Sequence, residues 1–191
     1  MRRLVLAFLL TLVAAPLAAA PLPRVAIRTS EGTMVVELET KRAPITATNF
    51  LRYVDAKKFD GKTFYRAARA KSDPTRGLIQ GGIDSNIRES FFPIQHEPTS
   101  KTGLKHLDGT LSMARNAPGS AMGDFFITIG ATPPLDARRG YVGYAAFGRV
   151  VKGMDVVRRI LAKPTWPGGR SYTTLGQSIR QPVKILSARR L

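Results

Sequence analysis

Apolar and polar residues alternate in short runs along most of this chain. Val25-Ala26-Ile27-Arg28-Thr29 and Thr33-Met34-Val35-Val36-Glu37-Leu38 are rich in β-formers and are joined by Ser30-Glu31-Gly32, which predicts a hairpin. The period then changes. Between Ala43 and Lys57, Ile45, Phe50, Tyr53 and Val54 fall close to a 3.6-residue stripe, and Pro44 stands where a first helical turn tolerates it, so this stretch reads as a helix. Further strands are predicted at 63–68, 78–81, 110–114, 125–129, 145–150 and 183–187. A second helix is predicted from Gly153 or Met154 to Ala162, with Lys163-Pro164 as its stop. Eight short strands with two helices suggest a mainly β protein, a closed antiparallel barrel whose ends the helices cover. No repeat, charge block or long linker divides the chain after Arg24, so residues 21–191 are expected to form one domain.

Residues 1–20 do not fit that pattern. Met1-Arg2-Arg3 is followed by an uncharged apolar run from Leu4 to Val13 and then by Ala14-Ala15-Pro16-Leu17-Ala18-Ala19-Ala20. A basic head, a short apolar run and small residues form a secretory signal peptide, with cleavage expected near Ala19 or Ala20. The apolar run is too short for a stable transmembrane helix. Export is therefore expected, with membrane contact only through the signal peptide.

Composition narrows the chemistry. The chain of 191 residues has no cysteine, which removes disulfides, thiol nucleophiles and zinc ribbons. It has only two histidines, His96 and His106, both in loop-like sequence and read as surface residues, so no metal site or cofactor is expected. Thirty basic against thirteen acidic residues give +17; loss of Arg2 and Arg3 with the signal peptide lowers the basic count to 28 and the net charge to +15. Such charge invites nucleic acid or an anionic surface as a partner, but no nucleic-acid module is recognisable and export argues against one.

The informative stretches are Phe64-Tyr65-Arg66, Leu78-Ile79-Gln80-Gly81-Gly82, Gly109 to Arg115, Asp124-Phe125-Phe126-Ile127 and Gly143-Tyr144-Ala145-Ala146-Phe147-Gly148. In this order they resemble the cyclophilin family of peptidyl-prolyl cis-trans isomerases, and the resemblance runs from about Val25 to the carboxyl terminus. The arginine of Met-Ala-Arg and the tyrosine of Gly-Tyr-Ala-Ala-Phe-Gly look most like its bacterial branch. The resemblance implies an eight-stranded barrel with a substrate groove on its outer face. It places Arg66 as the catalytic arginine and Gln80 as the groove glutamine. Phe126, Met113 and Leu78 are implied in the proline pocket, Phe64, Leu135 and Tyr144 on its wall or rim, and Ala114 against the substrate backbone.

That chemistry asks for little. An X-Pro bond rotates over a barrier of about 18–20 kcal/mol set by amide resonance. A charged guanidinium that interacts preferentially with the twisted state lowers it, and an apolar pocket around the pyrrolidine ring favours the less polar twisted amide. No nucleophile, metal or nucleotide is needed, and the implied partners are proline-containing unfolded or newly exported polypeptides.

Several residues depart from the family pattern. Tyr65 replaces the usual histidine before the arginine. The segment between Arg66 and Gln80 is long and contains Lys71 to Gly77, which puts Gly77 where a pocket phenylalanine usually stands. Asp124 replaces a groove glutamine, and Pro134 falls near a rim tryptophan. These changes suggest weak cyclosporin binding that Gly77→Phe and Pro134→Trp would improve, and they leave a non-catalytic peptide-binding chaperone on the same fold as the alternative.

Overall fold

The computed structural model describes residues 21–169 and 171–191, so the segment read as a signal peptide lies outside the described residues. The hairpin forms as its pattern implies: β1 (Arg24–Thr29) and β2 (Gly32–Leu38) pair antiparallel. From β2 the hydrogen bonding passes to β7 (Ala146–Lys152), β5 (Thr110–Met113), β6 (Phe125–Ile129), β4 (Gly77–Gly82), β3 (Thr63–Arg69) and β9 (Ser178–Arg190). The last of these also pairs with β1, which closes an eight-stranded antiparallel barrel. A two-residue strand, β8 (Thr165–Trp166), pairs with the start of β9.

Three α-helices accompany the barrel among the described residues. α1 (Pro44–Asp55) packs against β7 and β9, and α3 (Met154–Leu161) packs against β2, β3 and β4. These are the two expected from the 3.6-residue pattern; α2 (Thr99–Thr102) is a single turn too short to show a period. The final strand begins at Ser178, five residues before the expected Val183. Pro182 has no amide to donate and marks a break in register: Phe64 opposes Val183, yet Arg66 opposes Ser178.

The barrel interior follows the two-residue alternation of its strands. Leu111 and Met113 of β5, Phe125 and Ile127 of β6, and Ile79 of β4 all face inward. From α1, Phe50 meets Phe125 edge-on at 5.2 Å and Phe147 at 5.3 Å. Burying each such ring stabilises the fold by roughly 1.5–3 kcal/mol.

α1 cannot cap its own amino terminus, because Ala43 offers no side-chain acceptor. Glu97 serves instead: its buried carboxylate accepts from the amides of Ile45 (3.2 Å) and Thr46 (2.7 Å) and from the Thr46 hydroxyl (2.6 Å). A carboxylate at this position also complements the positive end of the helix dipole. Glu97→Ala is expected to cost about 2–3 kcal/mol, because it strips the acceptor from inward amides. Urea unfolding should show a lower midpoint at unchanged slope; a change below about 0.5 kcal/mol would mean that packing alone holds α1.

Candidate active site

Strand register builds the groove. Ser112 of β5 opposes Phe126 of β6, Phe126 opposes Gln80 of β4, Gln80 opposes Arg66 of β3, and Arg66 opposes Ser178 of β9. Directly opposed residues project from the same face, so this single row runs across five strands on the outside of the barrel. A bulge at Tyr65 makes the row possible. Phe64 opposes Gly81, and the next pairing is Arg66 with Gln80, so Tyr65 is the extra residue and both Tyr65 and Arg66 line the groove.

The groove has a volume of about 770 Å³. Of the residues singled out by the resemblance, Arg66, Leu78, Gln80, Ala114, Asp124, Phe126, Leu135 and Tyr144 line it. Arg66 is half-buried, and its head is held by two neutral carbonyls: Nη1 donates to Gln80 Oε1 and Nε to Gln177 Oε1, each at 2.7 Å. Burial lowers the pKa of Arg66, yet a guanidinium remains charged. Nη2 has no hydrogen-bond partner among the described residues.

Behind Gln80 the polar chain continues. The Gln80 amide donates to Tyr65 Oη at 2.9 Å, and Tyr65 donates in turn to Asp124 Oδ1 at 3.1 Å. Asp124 also accepts from the amides of Asp84 (2.8 Å) and Ser85 (2.7 Å). These two residues have φ of 58° and 56°, a left-handed conformation that costs free energy outside glycine and is held here by the carboxylate. Burial raises the pKa of Asp124, and the hydrogen bonds oppose the shift. Burial and the nearby Asp124 charge push the Tyr65 hydroxyl up, so it stays a donor.

The floor is aromatic. Phe126 lies parallel to the His106 ring at 6.0 Å and edge-on to Tyr144 at 5.5 Å. The guanidinium of Arg115 sits 4.8 Å from the Tyr144 ring centre, and Arg115 donates to the Gly143 carbonyl.

Four expectations are corrected. Phe64 and Met113 are not groove residues: both are buried in the barrel core, Phe64 because the bulge follows it and Met113 because it shares the inward face with Leu111. His106 is not at the surface but fully buried behind Phe126. Gly77 pairs with Arg69 and Ile129 away from the groove at φ 142°, and a Cβ there would lie 2.0 Å from the Ala68 carbonyl oxygen. Gly77→Phe would therefore disrupt β4 rather than fill a pocket. Pro134 is exposed and does not line the groove.

Sequence reasoning missed Ser171, Thr173 and Thr174, which form one end of the groove, and Gln177, which holds Arg66 from beside it. No local motif marks them; Gln177 lies 111 residues from Arg66.

Comparison with known proteins follows the same outline. The family model described as cyclophilin type peptidyl-prolyl cis-trans isomerase/CLD matches residues 24–190. A peptidyl-prolyl cis-trans isomerase of Acinetobacter baylyi is 38% identical over 167 residues, covering 85% of this chain and 82% of its own. A peptidyl-prolyl cis-trans isomerase-like 1 of Neurospora crassa is 36% identical over 170 residues, covering 86% and 92%. These matches span bacteria and fungi and do not single out the bacterial branch. The crystal structure of a Cryptosporidium parvum cyclophilin type isomerase, determined in the presence of the dipeptide Ala-Pro, has the same fold. It shows a TM-score of 0.68 at 21% identity, covering 87% of this chain and 97% of that one.

The ring behind the floor is expected to make the protein sensitive to acid. His106 Nδ1 donates to the Asp136 carboxylate at 2.7 Å, which leaves Nε2 to accept from Ser112 Oγ at 2.9 Å. Burial lowers the His106 pKa, and the Asp136 carboxylate only partly opposes this. The native state therefore binds this proton less readily than the unfolded chain, whose imidazole titrates near about 6.5. Stability from this site is complete above that pH and is lost as pH falls through the folded pKa. A ring NMR titration with thermal melts checks it; a folded pKa at or above the ordinary imidazole value would overturn the assignment.

Proposed function

The chain belongs to the cyclophilin-type peptidyl-prolyl cis-trans isomerase family and catalyses rotation about X-Pro bonds, and we propose that Arg66 carries this reaction for exported polypeptides. One observation carries the proposal. A charged guanidinium lies in the groove beside an aromatic floor, fixed by two neutral carbonyls and with Nη2 free of protein partners among the described residues. As the X-Pro bond twists, the amide loses its charge separation and the prolyl nitrogen regains a lone pair. A fixed donor aimed at that nitrogen or its neighbouring carbonyl interacts more strongly with the twisted state than with the planar one, which is the condition for catalysis. Phe126, Leu78 and Leu135 receive the pyrrolidine ring and keep water from the bond. Leading the substrate backbone past Ala114 brings the bond to Arg66. The Ala-Pro dipeptide of the Cryptosporidium structure has the chemistry this groove would accept.

Arg66→Ala is expected to cut turnover on a cis-Xaa-Pro peptide by roughly tenfold or more while the fold is kept. Arg66→Lys should also lose activity, since an ammonium cannot meet both glutamine carbonyls as a planar fork does. A folded Arg66→Ala protein with undiminished turnover would sink the assignment.

The bacterial exported branch is part of this reading, and the pattern of residues 1–20 supports it. The mature chain begins near Ala20 or Pro21 and acts in the periplasm on unfolded or newly translocated polypeptides. Cyclosporin binds it weakly, because neither Gly77 nor Pro134 supplies an aromatic face to the groove. Amino-terminal sequencing of protein recovered from the envelope tests export; an intact Met1 on cytoplasmic protein refutes it.

A further inference from the structure

We propose that Gln177 is a positioning residue for the isomerase reaction, setting the direction in which Arg66 presents its free donors. The inference rests on Arg66 as the catalytic group. A guanidinium on a flexible stem has several rotamers of similar energy, and one acceptor leaves its plane free to pivot. Gln80 accepts from Nη1, and that bond alone permits rotation about itself. The Nε bond to Gln177 Oε1, on a different arm of the head, supplies the second fixed point and defines the plane. Nη2 is then the arm left for substrate.

Gln177 is itself held at every polar atom. Its amide nitrogen donates to the Thr174 carbonyl (3.2 Å), its carbonyl accepts from Ala67 (2.8 Å), and Nε2 donates to the Thr173 carbonyl (3.2 Å). The Thr173 bond fixes the side-chain amide so that Oε1 faces Arg66. Gly176, at φ 73°, turns the chain into this position from the Tyr172–Thr174 turn.

A purely structural role, tethering the 171–176 turn, is separable, because the backbone bond from Ala67 survives side-chain replacement. The test compares Gln177→Met, which keeps bulk and removes the acceptor, with Gln177→Glu, which keeps an acceptor oxygen at the same reach. Gln177→Met is expected to lower kcat by about tenfold with KM within about twofold and an unchanged melting temperature, since misplacing a reacting group by a fraction of an ångström suffices. Gln177→Glu should recover most of that loss. In an Arg66→Ala background, Gln177→Met should have no further effect. Wild-type turnover in Gln177→Met, with Arg66→Ala inactive, overturns the positioning role and leaves Arg66 catalytic. An equal loss in both Gln177 variants, or a loss confined to KM, also overturns it. Undiminished turnover in Arg66→Ala removes the premise instead.

Discussion

The register of β3 against its neighbours is the constraint from which the groove follows. Side chains alternate across a sheet, so a slip of one residue would send Arg66 into the barrel core and Phe64 to the surface. The extra residue at Tyr65 resolves two demands on one short strand. Phe64 must face inward with Val183 and Gly81, while Tyr65 and Arg66 must both face outward beside Gln80. Gly81 shares in this arrangement. A Cβ there would lie 2.7 Å from both the Phe64 ring and the Thr63 carbonyl, so the inward ring and the outward guanidinium both depend on that missing atom.

Placing a guanidinium half out of water carries a desolvation cost that the protein offsets without a direct carboxylate. The nearest acid of the network, Asp124, reaches Arg66 only through Tyr65 and Gln80. This order is forced by hydrogen-bond polarity. An ionised carboxylate only accepts, so Tyr65 must donate to it. The phenol oxygen then accepts from the Gln80 amide, and the Gln80 carbonyl is left for the arginine. Tyr65 and Asp124 are both departures from the family pattern, and they meet in one hydrogen bond. Each therefore makes sense in the presence of the other, and together they hold Gln80 in the orientation that Arg66 requires.

Much of this was legible in the sequence because it rests on short-range pattern. The eight barrel strands and both longer helices follow from periodicity, and Arg66, Gln80, Phe126, Leu78 and Tyr144 follow from ordered motifs. What was not legible depends on register or on contacts between distant segments. Phe64 stands two residues from Arg66 and would share its face in a regular strand; only the bulge separates them, and no residue type announces it. Met113 lies in a groove motif yet points inward by simple alternation with Ser112. Gln177 and His106 act through partners far along the chain or through burial, for which composition offers no sign. Gly77, counted back from Gln80, falls at a pocket position by sequence alone, whereas its backbone at φ 142° shows a residue chosen for conformation.

The groove has an aromatic floor although neither Gly77 nor Pro134 reaches it. Phe126 is clamped from behind by the His106 ring and from the side by Tyr144, and Tyr144 is in turn covered by the Arg115 guanidinium. A ring held on two sides has few rotamers to lose when a ligand arrives, so contact with it is made at little further entropic cost. The same clamp is polar at its back, where His106 bridges Asp136 and Ser112. Ser112 opposes Phe126 in the row that ends at Arg66 and Ser178. The aromatic floor of the groove and the Arg66 guanidinium are thus positioned by the same ladder of hydrogen bonds, and a disturbance that loosens one strand pairing in it moves both together.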